Sequence, residues 1–190
     1  MAQHRCPVWV GYFLASGFRK LFQNPTRILS PYVERNMTVL DLGCAMGFFS
    51  LPMAEMVAPE GKVVCVDVQQ RMLDTLKKRA AGAGLADRIK THLCGDETLG
   101  IEGREGGFDF ALAFAVMHEV ADPARCFREL FRLLKPGARL LLAEPTAHVN
   151  ENDFERTVTV ATECGFAVAG HRKIHMSRAV VLTKAPPETT

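Results

Sequence analysis

The sequence predicts an α/β fold: a doubly wound, mostly parallel seven-stranded sheet that ends in an antiparallel C-terminal hairpin strand. Three features point there. From residue 37 onward, short β-rich runs alternate with helical ones, the pattern of βαβ units with right-handed crossovers. The β-rich runs are nearly continuous in their hydrophobicity, as strands covered on both faces are. The last two runs are separated only by a short polar turn, so the alternation closes in a hairpin.

Before residue 37, Asn24-Pro25 reads as a cap and first turn for a short helix over 25–34 holding Ile28, Leu29 and Val33. Strands are predicted at 38–41, 62–67, 89–94, 108–115 and 138–144, each rich in Val, Leu, Ile or Phe. Between them, Met72, Leu73, Leu76 and Ala80 form a helical stripe over 70–81. In 123–134 the residues Phe127, Leu130, Phe131 and Leu134 recur at i, i+3, i+4 and i+7. Asp122-Pro123 opens that helix and Pro136-Gly137 closes it. Phe154, Val158 and Ala161 mark another helix over 151–163. The hairpin comprises 166–174 and 178–182 around His175-Met176-Ser177, and the tail 185–190 reads as frayed.

The 190 residues suit one domain, with 1–36 as an N-terminal helical lid, 37–184 as the core and 185–190 as the tail. A hydrophobic fraction of 48% supports a sizeable core and excludes global disorder. Lys+Arg number 23 and Asp+Glu 21, a net charge of +2, too balanced to suggest bulk nucleic-acid binding. Six cysteines stand at 6, 44, 65, 94, 126 and 164, with no CxxC among them. Such scatter implies reduced thiols in a cytoplasmic protein and no metal site. Residues 6–18, CPVWVGYFLASGF, imitate a signal peptide but are too short to cross a bilayer. They read as a helix with one greasy face, packed over a substrate pocket or touching a membrane transiently. The sequence does not set the oligomeric state.

The chemistry gathers at the first strand, which runs into Asp41-Leu42-Gly43-Cys44-Ala45-Met46-Gly47. Glycine is needed where the backbone takes positive φ or must approach a ligand closely. A strand–turn–helix at the carboxyl edge of a parallel sheet is where nucleotide-like ligands bind, and Asp67 ends the second strand, where an acid can accept from ribose hydroxyls. The dinucleotide fingerprint wants glycine at its first, third and sixth positions, which here are Gly43, Ala45 and Phe48. Nicotinamide binding therefore fits poorly.

The spacing D-x-G-x-A-x-G resembles motif one of the class I S-adenosylmethionine (SAM) dependent methyltransferases, and further matches follow. These are Asp67, Gly95-Asp96 after the third strand, Phe108-Asp109-Phe110, and the block from Asp122-Pro123 to Leu134-Lys135-Pro136-Gly137. The resemblance covers about residues 37–184 and is nearest to ubiquinone/menaquinone C-methyltransferases. It implies a Rossmann-like core and SAM as cofactor. Gly43, Cys44, Ala45 and Gly47 would approach its methionine part, while Asp41 would hold the turn or meet the amino group. Asp67 and Val68 would serve the ribose, and Gly95, Asp96 and Glu97 the adenine. Ala115 would lie beside the methionine end. Ala45 and Ala138 depart from the family's usual glycines.

Methyl transfer is an in-line displacement on a sulfonium carbon, so the protein mainly aligns the reactants. A base is required only when the acceptor must lose a proton. His118 after the fourth strand, Glu144 at the end of the fifth and His148 four residues on are the catalytic candidates. His92, His171 and His175 read as structural or exposed. The function read is methyl transfer to a small-molecule acceptor. The alternatives are a non-catalytic SAM-binding sensor or partner subunit and a nicotinamide-dependent oxidoreductase.

Overall fold

The computed structural model describes residues 23–95 and 98–185. The segment 6–18, most of the expected lid, Asp96, Glu97 and the tail from 186 lie outside the described residues. The chain divides into two compact units, Met1–Cys94 and Gly95–Thr190, and its strands make a seven-stranded mixed sheet.

In the first unit the strands are β1 (Thr38–Leu42), β2 (Lys62–Asp67) and β3 (Ile89–Leu93), in the order β3-β2-β1. All pair in parallel, with Asp41 opposite Cys65 and Asp67 opposite Leu93. Helix α1 (Pro25–Leu29) precedes them, α2 (Ser50–Met56) follows β1, and α3 (Gln70–Gly82) follows β2. Helix α1 starts as predicted, the Asn24 side chain accepting from the Arg27 N–H at 3.1 Å. It ends five residues short of the expected length, because Pro31 has no N–H to continue the ladder to Arg27. The buried face of α3 is the predicted Met72, Leu73, Leu76 and Ala80. Strands β1 and β2 are buried almost throughout. Strand β3 departs from the doubly covered expectation: it is largely accessible, Leu93 being 50% exposed. Lys90, Thr91 and His92 suit a strand that pairs on one side with β2.

The second unit holds β4 (Phe108–Phe114), β5 (Leu134–Pro145), β6 (Phe166–Ile174) and β7 (Ser177–Lys184), in the order β4-β5-β7-β6. Strands β4 and β5 are parallel, and β7 runs antiparallel to both β5 and β6. Helix α4 (Pro123–Leu133) starts as read, with Asp122 accepting from the Arg125 N–H at 2.9 Å. Helix α5 (Glu151–Glu163) is capped by Asn150 on the Asp153 N–H at 2.9 Å. Strand β5 begins earlier than expected. Its partners jump from Phe108↔Leu134 to Phe110↔Arg139, so Lys135, Pro136 and Gly137 bulge outward instead of merely stopping a helix. Lys135 pairs there with Asp109. The hairpin turn is tighter than read, since Ile174 already pairs with Ser177. Among the described residues no helix is long and apolar enough to cross a membrane, and no metal-binding group of His, Cys, Asp or Glu occurs.

Candidate active site

The first unit builds a rigid turn from backbone hydrogen bonds. Both Gly43 and Cys44 donate their N–H to the Val66 carbonyl, at 2.9 and 3.1 Å. Ala45 donates to Asp67 Oδ2 at 2.9 Å, and Gly47 to the Cys44 carbonyl at 2.9 Å. The other Asp67 oxygen accepts from the Gln69 N–H at 2.8 Å. Asp67 thus ties β2 to the turn, and each of its oxygens keeps a second lone pair for an incoming hydroxyl. Burial pushes its pKa up, against the pull of these N–H donors.

Positive φ marks this turn: Gly43 at 68°, Ala45 at 46° and Gly47 at 85°. A non-glycine residue in that region carries about 1–2 kcal/mol of strain, so Ala45 holds its place because the neighbouring bonds over-determine it. Gly47 has a second reason to be glycine: a Cβ there would stand 2.3 Å from Leu76 Cδ1 on α3. Its role is to let α3 close on the turn. Helix α3 also sends Arg79 to the Met46 carbonyl, a tether that no motif announces. Cys44 is buried, and desolvation with Cys65 alongside pushes its thiol pKa well up. Val68 is 38% exposed beyond β2, and Gly95 is exposed.

Asp41 is the buried charge of this turn. Its Oδ2 accepts from the Ser50 hydroxyl at 2.5 Å. Burial raises its pKa to about 7, the Ser50 bond opposing and the Asp67 charge adding to the rise. The unfolded chain releases this proton near pH 4, the folded protein near 7, so ionisation costs stability as pH rises between the two. Asp41→Asn keeps the acceptor for Ser50 and removes the charge. Its stability relative to the parent is expected to rise from about pH 4 to 7 by on the order of 2–4 kcal/mol and then level off. Urea melts at pH 4.5 and 8 measure this; an equal gap at both would show that the carboxylate is not desolvated.

In the second unit, three sequence candidates come together. Glu144, at the end of β5, is 1% exposed and uses both oxygens. Oε1 accepts from the Met117 N–H at 2.7 Å, and Oε2 lies 2.5 Å from His118 Nδ1. His118 rides on the 3-10 turn Met117–Glu119 after β4, with its side chain 26% exposed. Its Nε2 stands 3.9 Å from Glu119 Oε1. The His148 ring lies nearly parallel to that of His118, centroids 5.9 Å apart and 13° between planes. Glu144, read as substrate-facing, has its carboxylate buried against the Met117 N–H and His118 Nδ1. The Glu144 hydrogen bond raises the His118 pKa, partly opposed by burial. In the neutral ring the close Glu144 carboxylate favours the proton on Nδ1, which leaves the lone pair on Nε2. Ala115 joins β4 to this turn at φ 58°, its N–H on the Ala143 carbonyl at 2.7 Å.

Sequence reasoning missed Ser50, Arg79, Thr146 and Arg178. Each acts through a contact fixed by folding, and only Ser50, one turn after the glycines, lies near a motif.

The methyltransferase-domain family profile matches residues 33–179. A demethylmenaquinone methyltransferase of Symbiobacterium thermophilum is 33% identical over 106 residues, covering 56% of this chain and 41% of that protein. The chain spans less than half the length of this and similar curated relatives. A SAM-dependent methyltransferase from Aquifex aeolicus shares the fold at a TM-score of 0.85 and 20% identity, covering 95% of this chain and 100% of that one. The [4+2]-cyclase SpnF shares it at 0.73 and 16%, covering 86% and 80%. The profile takes in every strand but the end of β7, and on that breadth the chain belongs to the class I S-adenosylmethionine-dependent methyltransferase family.

Proposed function

We propose that this protein transfers a methyl group from SAM to a small-molecule acceptor, with His118 taking the acceptor's proton. The glycine turn carries this reading. A phosphate-binding loop needs N–H groups aimed outward, yet Gly43, Cys44, Ala45 and Gly47 all spend theirs inside the protein. What the turn offers instead is carboxylate, from Asp41 and Asp67. That set fits a ligand with an ammonium group and ribose hydroxyls, and not a pyrophosphate.

Asp67 would accept from the ribose hydroxyls while still holding Ala45, and Asp41 would meet the ammonium, whose charge would favour its ionised form. When bound, SAM supplies an electrophilic methyl group open to in-line displacement. The chain's own part is alignment and proton removal. Glu144 fixes the His118 ring and its Nδ1 proton, and Nε2 accepts the proton that a hydroxyl or enol acceptor must lose. The relative that methylates demethylmenaquinone supports an acceptor of small-molecule size.

Calorimetric titration with SAM tests the cofactor site. Asp67→Ala is expected to weaken binding about 10- to 100-fold, in line with losing charge-assisted hydrogen bonds. Unchanged affinity would remove Asp67 from the site. A SAM-binding subunit without catalysis would bind equally well but form no S-adenosylhomocysteine with any acceptor. The cyclase neighbour makes that second measurement necessary, because one fold hosts several chemistries.

A further inference from the structure

We propose that Arg178 is a specificity-determining residue that receives a carboxylate on the methyl acceptor; this rests on the methyltransferase reading of the His118 site. In the β5–β7 ladder Arg178 is the direct partner of Glu144. Directly opposed residues project from the same face of a sheet, so the guanidinium starts out beside the carboxylate that holds His118. The two do not pair. Both Glu144 oxygens are consumed by Met117 and His118. Arg178 instead donates one Nη1–H to the Val149 carbonyl at 2.8 Å, and it forms no ion pair among the described residues. A guanidinium carries five N–H donors in a planar fork, so most of its capacity remains for a planar oxyanion.

Two further observations favour an anion. The 166–184 stretch contains no Asp or Glu, yet it carries Arg172, Lys173, Arg178 and Lys184. Lys173 is moreover the direct ladder partner of Arg178. The row Glu144–Arg178–Lys173 thus carries two cations and one acid, whose oxygens are already engaged by Met117 and His118. The second is that the fork is already held. The Thr146 N–H and hydroxyl both donate to the Met176 carbonyl, at 3.0 and 3.3 Å, and fasten the turn that bears His148 to the β6–β7 hairpin. The bond from Arg178 to Val149 fastens the same turn from β7. A carboxylate captured there meets a side chain whose ordering cost has been met in folding.

The test uses the full chain saturated with S-adenosylhomocysteine and two matched phenols, 4-hydroxybenzoate and 4-hydroxybenzamide, titrated by calorimetry. The carboxylate is expected to bind about tenfold more tightly than the amide, the scale of a charge-assisted bidentate contact. Arg178→Met should bring the two within about twofold while amide affinity holds, and Arg178→Lys should keep part of the preference. Amide binding in Arg178→Met shows that the site remains folded. A wild-type preference below about twofold overturns the proposal, as does failure of both probes to bind at about 10 mM, or a preference that survives in Arg178→Met. Failure to bind S-adenosylhomocysteine would instead overturn the methyltransferase reading.

Discussion

Glu144→Gln is expected to lower kcat/KM by about 10²- to 10³-fold, the range of a displaced or mistuned general base. The amide is nearly isosteric and still accepts from the Met117 N–H, so the fold should survive. What changes is the bond to His118. A carboxylate at Nδ1 stabilises the imidazolium and raises its pKa; an amide does so far less. In the proposed role, His118 works as a base only when Nε2 is unprotonated, so activity should rise as pH passes its pKa. Removing the Glu144 charge should therefore shift the acid limb of the pH–rate profile to lower pH, even as the plateau falls. His118→Ala should abolish that limb. A Glu144→Gln profile that loses height without moving would reduce Glu144 to a scaffold for the Met117 turn. The same shift bears on stability. The His118–Glu144 pair stabilises the fold fully below the ordinary histidine pKa and progressively less as pH rises through the raised one.

Gly61→Ala should be the most damaging single methyl group in the first unit, costing roughly 3 kcal/mol. Gly61 does not lie at positive φ, so its reason for being glycine is space. A Cβ there would stand 2.5 Å from the Met37 carbonyl oxygen, the Val57 carbonyl oxygen and Val57 Cβ. None of these is the free end of a side chain. The two carbonyls are committed, Met37 to the Lys62 N–H at 3.0 Å and Val57 to the N–H groups of Asn36 and Gly61 at 2.9 and 3.0 Å. To make room, the segment joining α2 to β2 must move, and with it the entry of β2. For a chain of this size the melting temperature should fall by about 6–12 °C. A loss under about 2 °C would mean that the segment yields freely.

Much of this architecture is legible in the chain. The helices over 70–82 and 151–163 and their buried faces follow from apolar spacing, because a 3.6-residue repeat needs no knowledge of the partner surface. Caps such as Asn24 and Asp122 are equally local, satisfying N–H groups within three residues. The bulge at Lys135–Gly137 was not legible. A Pro-Gly pair ends a helix in isolation, and only pairing between β4 and β5 makes the same residues an interruption within a strand. The exposure of β3 escaped for the same reason, since burial depends on neighbours that the run itself does not contain.

The sequence by itself determined most of the elements, the glycine turn with its two acids, and the residue types able to carry a proton, because each depends on covalent chemistry or on periodicity within a few residues. Tertiary structure alone decided which of those residues meet. Glu144 and His118 are 26 positions apart, and only the parallel pairing of β4 with β5 brings them to one edge. Arg178 reaches the same edge through the antiparallel return of β7. Glu144 could have faced an acceptor or served a neighbour. Its burial sets its hydrogen bonds, since a desolvated carboxylate requires donors and the fold supplies them from Met117 and His118.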